Sequence, residues 1–132
     1  MRLVDVLALI CLGFVSPALA DDCPDQSQNG LNQCADAAYK KADEALNTVY
    51  REVTRRLKDD PPTTKLLVTA QKAWIAFRDA ECTFSSAANA GGSIYPMVYA
   101  GCLQHLTEAR TKRLRACLKG GEEDLDCPVP SP

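Results

Sequence analysis

Residues 31–57 read LNQCADAAYKKADEALNTVYREVTRRL, and the spacing of apolar side chains here decides the fold. Leu31, Ala35, Ala38, Ala42, Leu46, Val49, Val53 and Leu57 recur every three or four positions. That period keeps one stripe along one side of an α-helix, with Lys40, Lys41, Glu44, Glu52 and Arg56 largely on the other. Asn29-Gly30 supplies a start for this helix. Asp59-Asp60-Pro61-Pro62 supplies a stop, because prolines carry no backbone donor and disfavour helix in the residue before them.

Toward the C-terminus the pattern repeats twice. Thr63 or Thr64 can cap a second helix, which shows Leu67, Ala70, Trp74, Phe77 and Ala80 on one face and runs to about Cys82 or Ser85. Small residues and the pair Gly91-Gly92 then predict a flexible loop, with Ala87 and Ala88 able to extend the helix. A third helix begins around Pro96 with the stripe Tyr99, Leu103, Leu106, Ala109 or Arg110, Leu114, and Cys117 or Leu118. Lys112, Arg113, Arg115 and Lys119 crowd its last turns, where cations oppose the negative helix end, and Gly120-Gly121 ends it. An acidic, proline-rich tail follows over residues 122–132. No strand pattern and no internal repeat competes. The expected architecture is all-α: one small domain of three antiparallel helices over residues 21–121, stapled by disulfides.

Toward the N-terminus lies a different kind of segment. Met1-Arg2 precedes an apolar run from Leu3 to Val15 interrupted only by Asp5, and Ser16-Pro17-Ala18-Leu19-Ala20 closes it. A basic start, an apolar middle and a small-x-small finish predict a secretory signal peptide over residues 1–20, cleaved near Ala20. The run is too short, and too soon broken by Pro17, for a retained membrane span. Cys11 follows bulky Ile10 and Cys23 follows acidic Asp22, neither the setting of a lipidation site. The expected product is periplasmic or secreted.

The formal net charge is −2, and Arg2 and Asp5 cancel, so export leaves it unchanged. That balance excludes binding to nucleic acid by bulk charge. Acids gather at both ends of the mature chain, and bases gather over residues 51–58 and 110–119.

Beyond the leader six cysteines remain: Cys23, Cys34, Cys82, Cys102, Cys117 and Cys127. An even number in a small exported chain reads as three disulfides. Without a C-x-x-C pair, and with His105 the one histidine, the sequence predicts no metal site and no cofactor. Cys82 and Cys102 flank one loop, so a bridge between them closes easily. Cys23 with Cys34 would close the entry to the first helix, and Cys117 with Cys127 would hold the tail. A rival set joins Cys34 to Cys82, whose helix ends lie level, and leaves Cys23 for Cys102. Both sets stand among the fifteen pairings that six cysteines permit.

Several strings carry a resemblance. Cys34-Ala35-Asp36, Ala42-Asp43 and Leu46-Asn47-x-x-Tyr50 mark the first helix. Leu67-x-x-Ala70-Gln71-x-x-Trp74-Ile75-x-x-Arg78-Asp79-x-x-Cys82 marks the second, followed by Gly91-Gly92-Ser93, Cys102 and Thr107-x-x-Arg110-x-x-x-Leu114. Together these resemble the LprI-like family of exported bacterial proteins, named for a lysozyme inhibitor. The resemblance covers about residues 23–118, with Cys117, Cys127 and the tail outside the pattern. It implies inhibition of a lysozyme-type muramidase by binding, without turnover, so lysozyme or another muramidase is the implied protein partner. The alternative of a different class is an envelope module that binds a periplasmic protein or peptidoglycan and inhibits nothing.

Gln71, Trp74, Arg78 and Cys82 follow one another at intervals of three and four, one line along the second helix. They form either a recognition ridge or, as the apolar stripe favours, a structural line with Trp74 in the core and Arg78 paired to Asp36 or Asp43. His105 lies in an amphipathic helix with no nucleophile motif beside it. Asp79 and Glu81, two apart, point to different helix sides and cannot flank a glycosidic bond together. No enzyme is expected. The basic run at residues 51–58 reads as a solvated helix face, diluted by Glu52 and Asp59-Asp60. The loop holding Ser85, Ser86, Asn89, Gly91, Gly92, Ser93 and Tyr95 is either a plain connection between helices or the candidate partner-binding element, since small neutral groups suit a cleft that contains two carboxylates. Host lysozymes are basic as a class, which the acidic ends of this chain complement.

Overall fold

The structure is a computed structural model that describes residues 23–120 and 125–132. The signal peptide, its cleavage point, Gly121 and the acids at 122–124 lie outside the described residues. Three helices make the fold: α1 (Gln28–Arg56), α2 (Pro61–Ser85) and α3 (Tyr95–Gly120), with a short 3-10 turn at Ala87–Asn89. Each helix runs antiparallel to the one before, so α1 and α3 run the same way. The fold is all-α, as the periodicity predicts.

Helix boundaries differ from the sequence reading, each for a local reason. Ser27, not Asn29-Gly30, caps α1, its hydroxyl accepting from the Gly30 amide at 3.1 Å. Gly30 is buried in the first turn, where a β-carbon would collide with the Asp25 side chain and carbonyl. The proline pair does not end α1, which stops at Arg56 before a turn. Pro61 and Pro62 instead open α2, occupying positions whose amides have no partner within a helix. Asp60 is the cap, its carboxylate accepting from the Thr63 amide at 3.1 Å. Thr64 donates its hydroxyl back to the Leu57 carbonyl, 2.9 Å away.

The core is built on α1. Leu46, Val49, Val53 and Leu57 are buried with Leu114 of α3, and Tyr50, Leu67, Trp74, Cys117 and Leu118 pack around them. Burying an aliphatic side chain of this size contributes about 1.5–3 kcal/mol. On α3 the buried positions are Ala100, Leu103, Thr107, Thr111 and Leu114, so two threonines occupy the centre of a face that reads as apolar only in part. Thr111 donates to the Thr107 carbonyl at 2.9 Å.

On α2 the predicted apolar stripe is displaced. Phe77 is 55% exposed and Ala70 and Ala80 are exposed, whereas Arg78 and Cys82 are buried and Leu67, Gln71 and Trp74 half-buried. The inward side is therefore the motif line, polar in half its members. α1 and α3 pack backbone to backbone most closely, while α2 reaches α1 mainly through long side chains.

Past α3 the chain folds back. Cys127 and Val129 are buried in the core cluster. Arg56, assigned to the solvated face by its position, instead donates to the Leu118 carbonyl at 3.0 Å and the Pro130 carbonyl at 3.4 Å. It satisfies the C-terminal end of α3 and clasps the returning segment. The disulfides are Cys23–Cys34, Cys82–Cys102 and Cys117–Cys127, the local set.

Candidate functional site

The loop between α2 and α3 closes one end of the molecule. Cys82 on the last turn of α2 and Cys102 on the second turn of α3 bind its two roots together. Between them the backbone makes consecutive turns. The Asn89 amide donates to Ser86 O, Ala90 to Ala87 O, Gly92 to Asn89 O and Tyr95 to Gly92 O, at 2.9–3.2 Å. The Asn32 side chain of α1 donates to the Ser93 carbonyl at 2.9 Å, which fastens the far side of the loop to the start of the bundle. The sequence predicts a flexible connection here; the structure shows a string of hydrogen-bonded turns.

The loop residues divide by orientation. Ser86 is fully buried and its hydroxyl donates to the Cys82 carbonyl at 2.6 Å, so it holds the turn and presents nothing outward, a correction to its place among candidate contact groups. Ser85, Gly91, Gly92, Ser93 and Ile94 are exposed, and Asn89 is half-buried. Ser85 hydrogen-bonds Cys82 O and Cys102 Sγ, both at 3.4 Å. Tyr95 is half-buried and stacks on Tyr99 with ring centres 5.7 Å apart. Gly91 has a left-handed backbone, φ +77°, with open space where a side chain would project. The outward surface of the loop is small and uncharged.

The motif line sits elsewhere, along the inner side of α2. Arg78 is 8% exposed. Its guanidinium contacts Asp79 Oδ1 at 2.8–2.9 Å, lies 3.8 Å from Asp43 Oδ1 of α1, and stands over the rings of Trp74 and Tyr39. Asp43 is thus the partner from the neighbouring helix, while Asp36 pairs with exposed Lys40. Gln71 accepts a hydrogen bond from Arg110 Nε at 3.0 Å, and the Arg110 guanidinium also lies over the Trp74 ring, 5.9 Å from its centre. Burial pushes the Tyr39 phenol up, against the opposing pull of the Arg78 charge, and burial with nearby Arg113 lowers Arg110. The sequence reading missed Tyr39 and Arg110 as members of this cluster. Arg110 had a signal, since it shares the motif string; Tyr39 had none.

A shallow groove of about 760 Å³ runs along the join of α1 and α3, lined by Ala35, Ala38 and Ala42 together with the charged Lys41, Glu108 and Arg115. His105 is exposed on α3. Asp79 is engaged by Arg78, and Glu81 is exposed on a different side of α2. The exposed side chains of the loop are hydroxyl-bearing or apolar, and none is charged.

No helix among the described residues is long and apolar enough to cross a membrane. An uncharacterized protein of Rhizobium meliloti (strain 1021) is 36% identical over 107 residues, which cover 73% of this chain and 77% of that protein. The crystal structure of a DUF1311 family protein from Pseudomonas putida KT2440 superimposes with a TM-score of 0.62 at 24% identity, over 71% of this chain and 93% of that one. That likeness concerns the fold. The family described as Lysozyme inhibitor LprI matches residues 20–114, most of the helical domain with the motif line and the loop included, and the chain belongs to this family.

Proposed function

We propose that this protein is exported and inhibits a lysozyme-type muramidase by occupying its cleft, with loop 85–95 as the inserted element. Family membership supports the activity. Three disulfides suit an oxidising compartment outside the cytoplasm, periplasmic or secreted. The observation that carries the choice of loop is its construction: an uncharged, exposed tip held at both roots by Cys82–Cys102 and at its side by the Asn32–Ser93 hydrogen bond. A segment already ordered loses little entropy on binding, which is what a tight, non-reacting inhibitor requires. Neutral donors such as Ser93 Oγ can approach a pair of carboxylates without like-charge repulsion. Inhibition here is occupation of the cleft, and no covalent step belongs to it.

The test is a cell-wall lysis assay with the oxidised protein lacking residues 1–20, titrated against several lysozyme types. The expected result is stoichiometric, reversible loss of lytic activity with no consumption of the inhibitor. Folded, fully disulfide-bonded protein that leaves every lysozyme active would reject inhibition and favour a non-inhibitory envelope module.

A further inference from the structure

The fold brings two basic runs to one end of the molecule. The Asn32–Ser93 hydrogen bond ties the start of α1 to the residues just before α3, and the Arg56–Leu118 hydrogen bond ties the two helix ends. Residues 51–58 and 110–119 are therefore neighbours. On α1 alone the acids dilute the first run. In the folded chain Asp59 and Asp60 belong to the turn into α2, which Asp60 caps, and Glu52 is held by Arg55 and Arg56 at 2.7 and 2.9 Å. Lys112, Arg115 and Lys119 lie beside them on α3, three and four residues apart along one line. All three are exposed and have no ion pair among the described residues. This cluster sits on the face that α2 does not cover: the α1–α3 groove, which Arg115 lines with Lys41, contains no residue of α2. The acids at 122–124 precede Cys127 in the segment that returns past α3. Its anchor, Cys117, is about 200° round α3 from Arg115, and Val129 packs with Leu57 and Leu67 on the α2 side.

We propose that this end of the α1–α3 face docks on a bilayer surface rich in anionic lipid headgroups. The layout of the cations selects that partner over a discrete anion. Arg55 stands on one helix and Lys112, Arg115 and Lys119 on the other, with axes about 8–10 Å apart. Lys112 and Lys119 are themselves about 10 Å apart along α3. Cations so spread do not converge on one phosphate. A layer of many mobile headgroups requires no convergence, only charge of one sign over an area, and each Lys or Arg close to it adds to binding. Charge at the other end agrees. Asp25 and Glu81 are exposed there without an ion pair among the described residues, so an anionic surface repels that end while attracting the cluster. Tyr95, where loop 85–95 enters α3, lies about 36 Å along the helix from Lys119, several screening lengths at physiological salt. Docking through the cluster leaves the loop open, and it does not depend on what the loop binds.

The test is co-sedimentation of the oxidised chain lacking residues 1–20 with vesicles of phosphatidylcholine, alone or with about one third phosphatidylglycerol. The expected result is binding to the mixed vesicles only, weakened about tenfold or more between about 20 and 150 mM salt. Lys112→Glu combined with Lys119→Glu should lower it by about tenfold or more. Lys65→Glu combined with Lys72→Glu makes the same change of net charge on α2, off the face, and should leave binding within about twofold. All four lysines are exposed, so circular dichroism should show the helices intact in both variants. Amine acetylation with mixed vesicles present should spare Lys112 and Lys119 and modify Lys65 and Lys72 as in the free protein. No binding to mixed vesicles at low salt overturns the proposal. So do equal binding to phosphatidylcholine alone, equal losses in the two double variants, or acetylation that spares neither Lys112 nor Lys119. Binding to soluble inorganic polyphosphate without binding to vesicles also overturns it, and would assign the face to a soluble polyanion.

Discussion

The guanidinium carbon of Arg78 lies 5.2 Å from the centre of the Trp74 ring and 5.6 Å from that of Tyr39. One buried cation thereby joins two helices: Trp74 sits a turn away on α2, and Tyr39 and Asp43 come from α1. Asp79, the next residue in the chain, holds the guanidinium edge at 2.8 Å. The Gln–Trp–Arg string is therefore the means by which α2, with few apolar inward residues, is held to the α1–α3 pair. A buried arginine of this kind stabilises only while its carboxylate and ring partners remain.

Trp74→Ala should destabilise the protein by about 2–3 kcal/mol, below the range for a fully buried tryptophan because this ring is half-buried. The loss combines packing on the core with two cation–π contacts. Chemical denaturation with intact disulfides measures it. A variant that unfolds like wild type but loses its partner would return Trp74 to the role of binding anchor.

Arg78→Ala should cost about 1–3 kcal/mol, less than the usual penalty for breaking a buried pair since Asp43 and Asp79 are both roughly half exposed and regain water. Asp43→Asn should cost markedly less, given its 3.8 Å separation. A thermodynamic cycle over the two sites gives the coupling, and equal costs for both variants would contradict the geometry.

The three helices were legible from periodicity because Leu46, Val49 and Val53 sit on an unambiguous stripe. The stripe of α2 was misread for a physical reason. Two apolar lines exist on that helix, one through Leu67 and Trp74 and one through Leu66 and Phe77, and hydrophobicity does not say which faces inward. What decided it was the position of Arg78 and Cys82, polar or bridged residues whose burial depends on partners from other elements. Ser86 hid for a similar reason: a serine in a small-residue run looks exposed until its hydroxyl is seen to close the turn on Cys82. Arg56 looked solvated because its carbonyl partners, at Leu118 and Pro130, lie far along the chain.

Acid should weaken the end of α1. Hydrogen bonds from Arg55 and Arg56 hold the Glu52 carboxyl down from 4.5 to about 2. A carboxylate whose pKa falls on folding contributes stability that is full above the unfolded value and is lost as pH drops through the folded one. The Glu52 contribution is thus complete above about pH 5 and disappears between there and about pH 2. Asp25 and Asp60, lowered by hydrogen bonds from Ser27 and Thr63, add to it in the same direction. Melting temperatures of wild type and Glu52→Gln, measured from pH 7 down to pH 2, should converge as pH falls. A constant gap would rule out the ion pair as the cause.

Removing residues 122–132 should destabilise the domain, because the segment is part of the core. The Cys117–Cys127 bridge contributes about 2–4 kcal/mol. Val129, 4% exposed, adds about 1.5 kcal/mol by burial. The truncated protein should also carry a free thiol at Cys117. Thiol titration and thermal denaturation check both points. A truncation that melts like wild type would mean the returning segment adds nothing to the core.

Because truncation disturbs the core, the contribution of the acidic end to muramidase binding has to be read by neutralising Glu122, Glu123 and Asp124 instead. Under the proposed mode of inhibition, charges at the rim act on encounter, so this triple change should lower the association rate and flatten its salt dependence while leaving dissociation nearly unchanged. The loop should show the opposite pattern. Ala90→Trp adds bulk at an exposed turn, and Gly91→Asn adds a side chain in open space while tolerating the left-handed backbone. Both should raise the dissociation rate at least tenfold with the helices intact by circular dichroism, since a group that fills a cleft acts after encounter. Surface plasmon resonance separates the two rates. Unaltered dissociation in both loop variants would take loop 85–95 out of the interface and direct the search to the groove between α1 and α3, whose Lys41, Glu108 and Arg115 are the next polar groups placed beside an open surface.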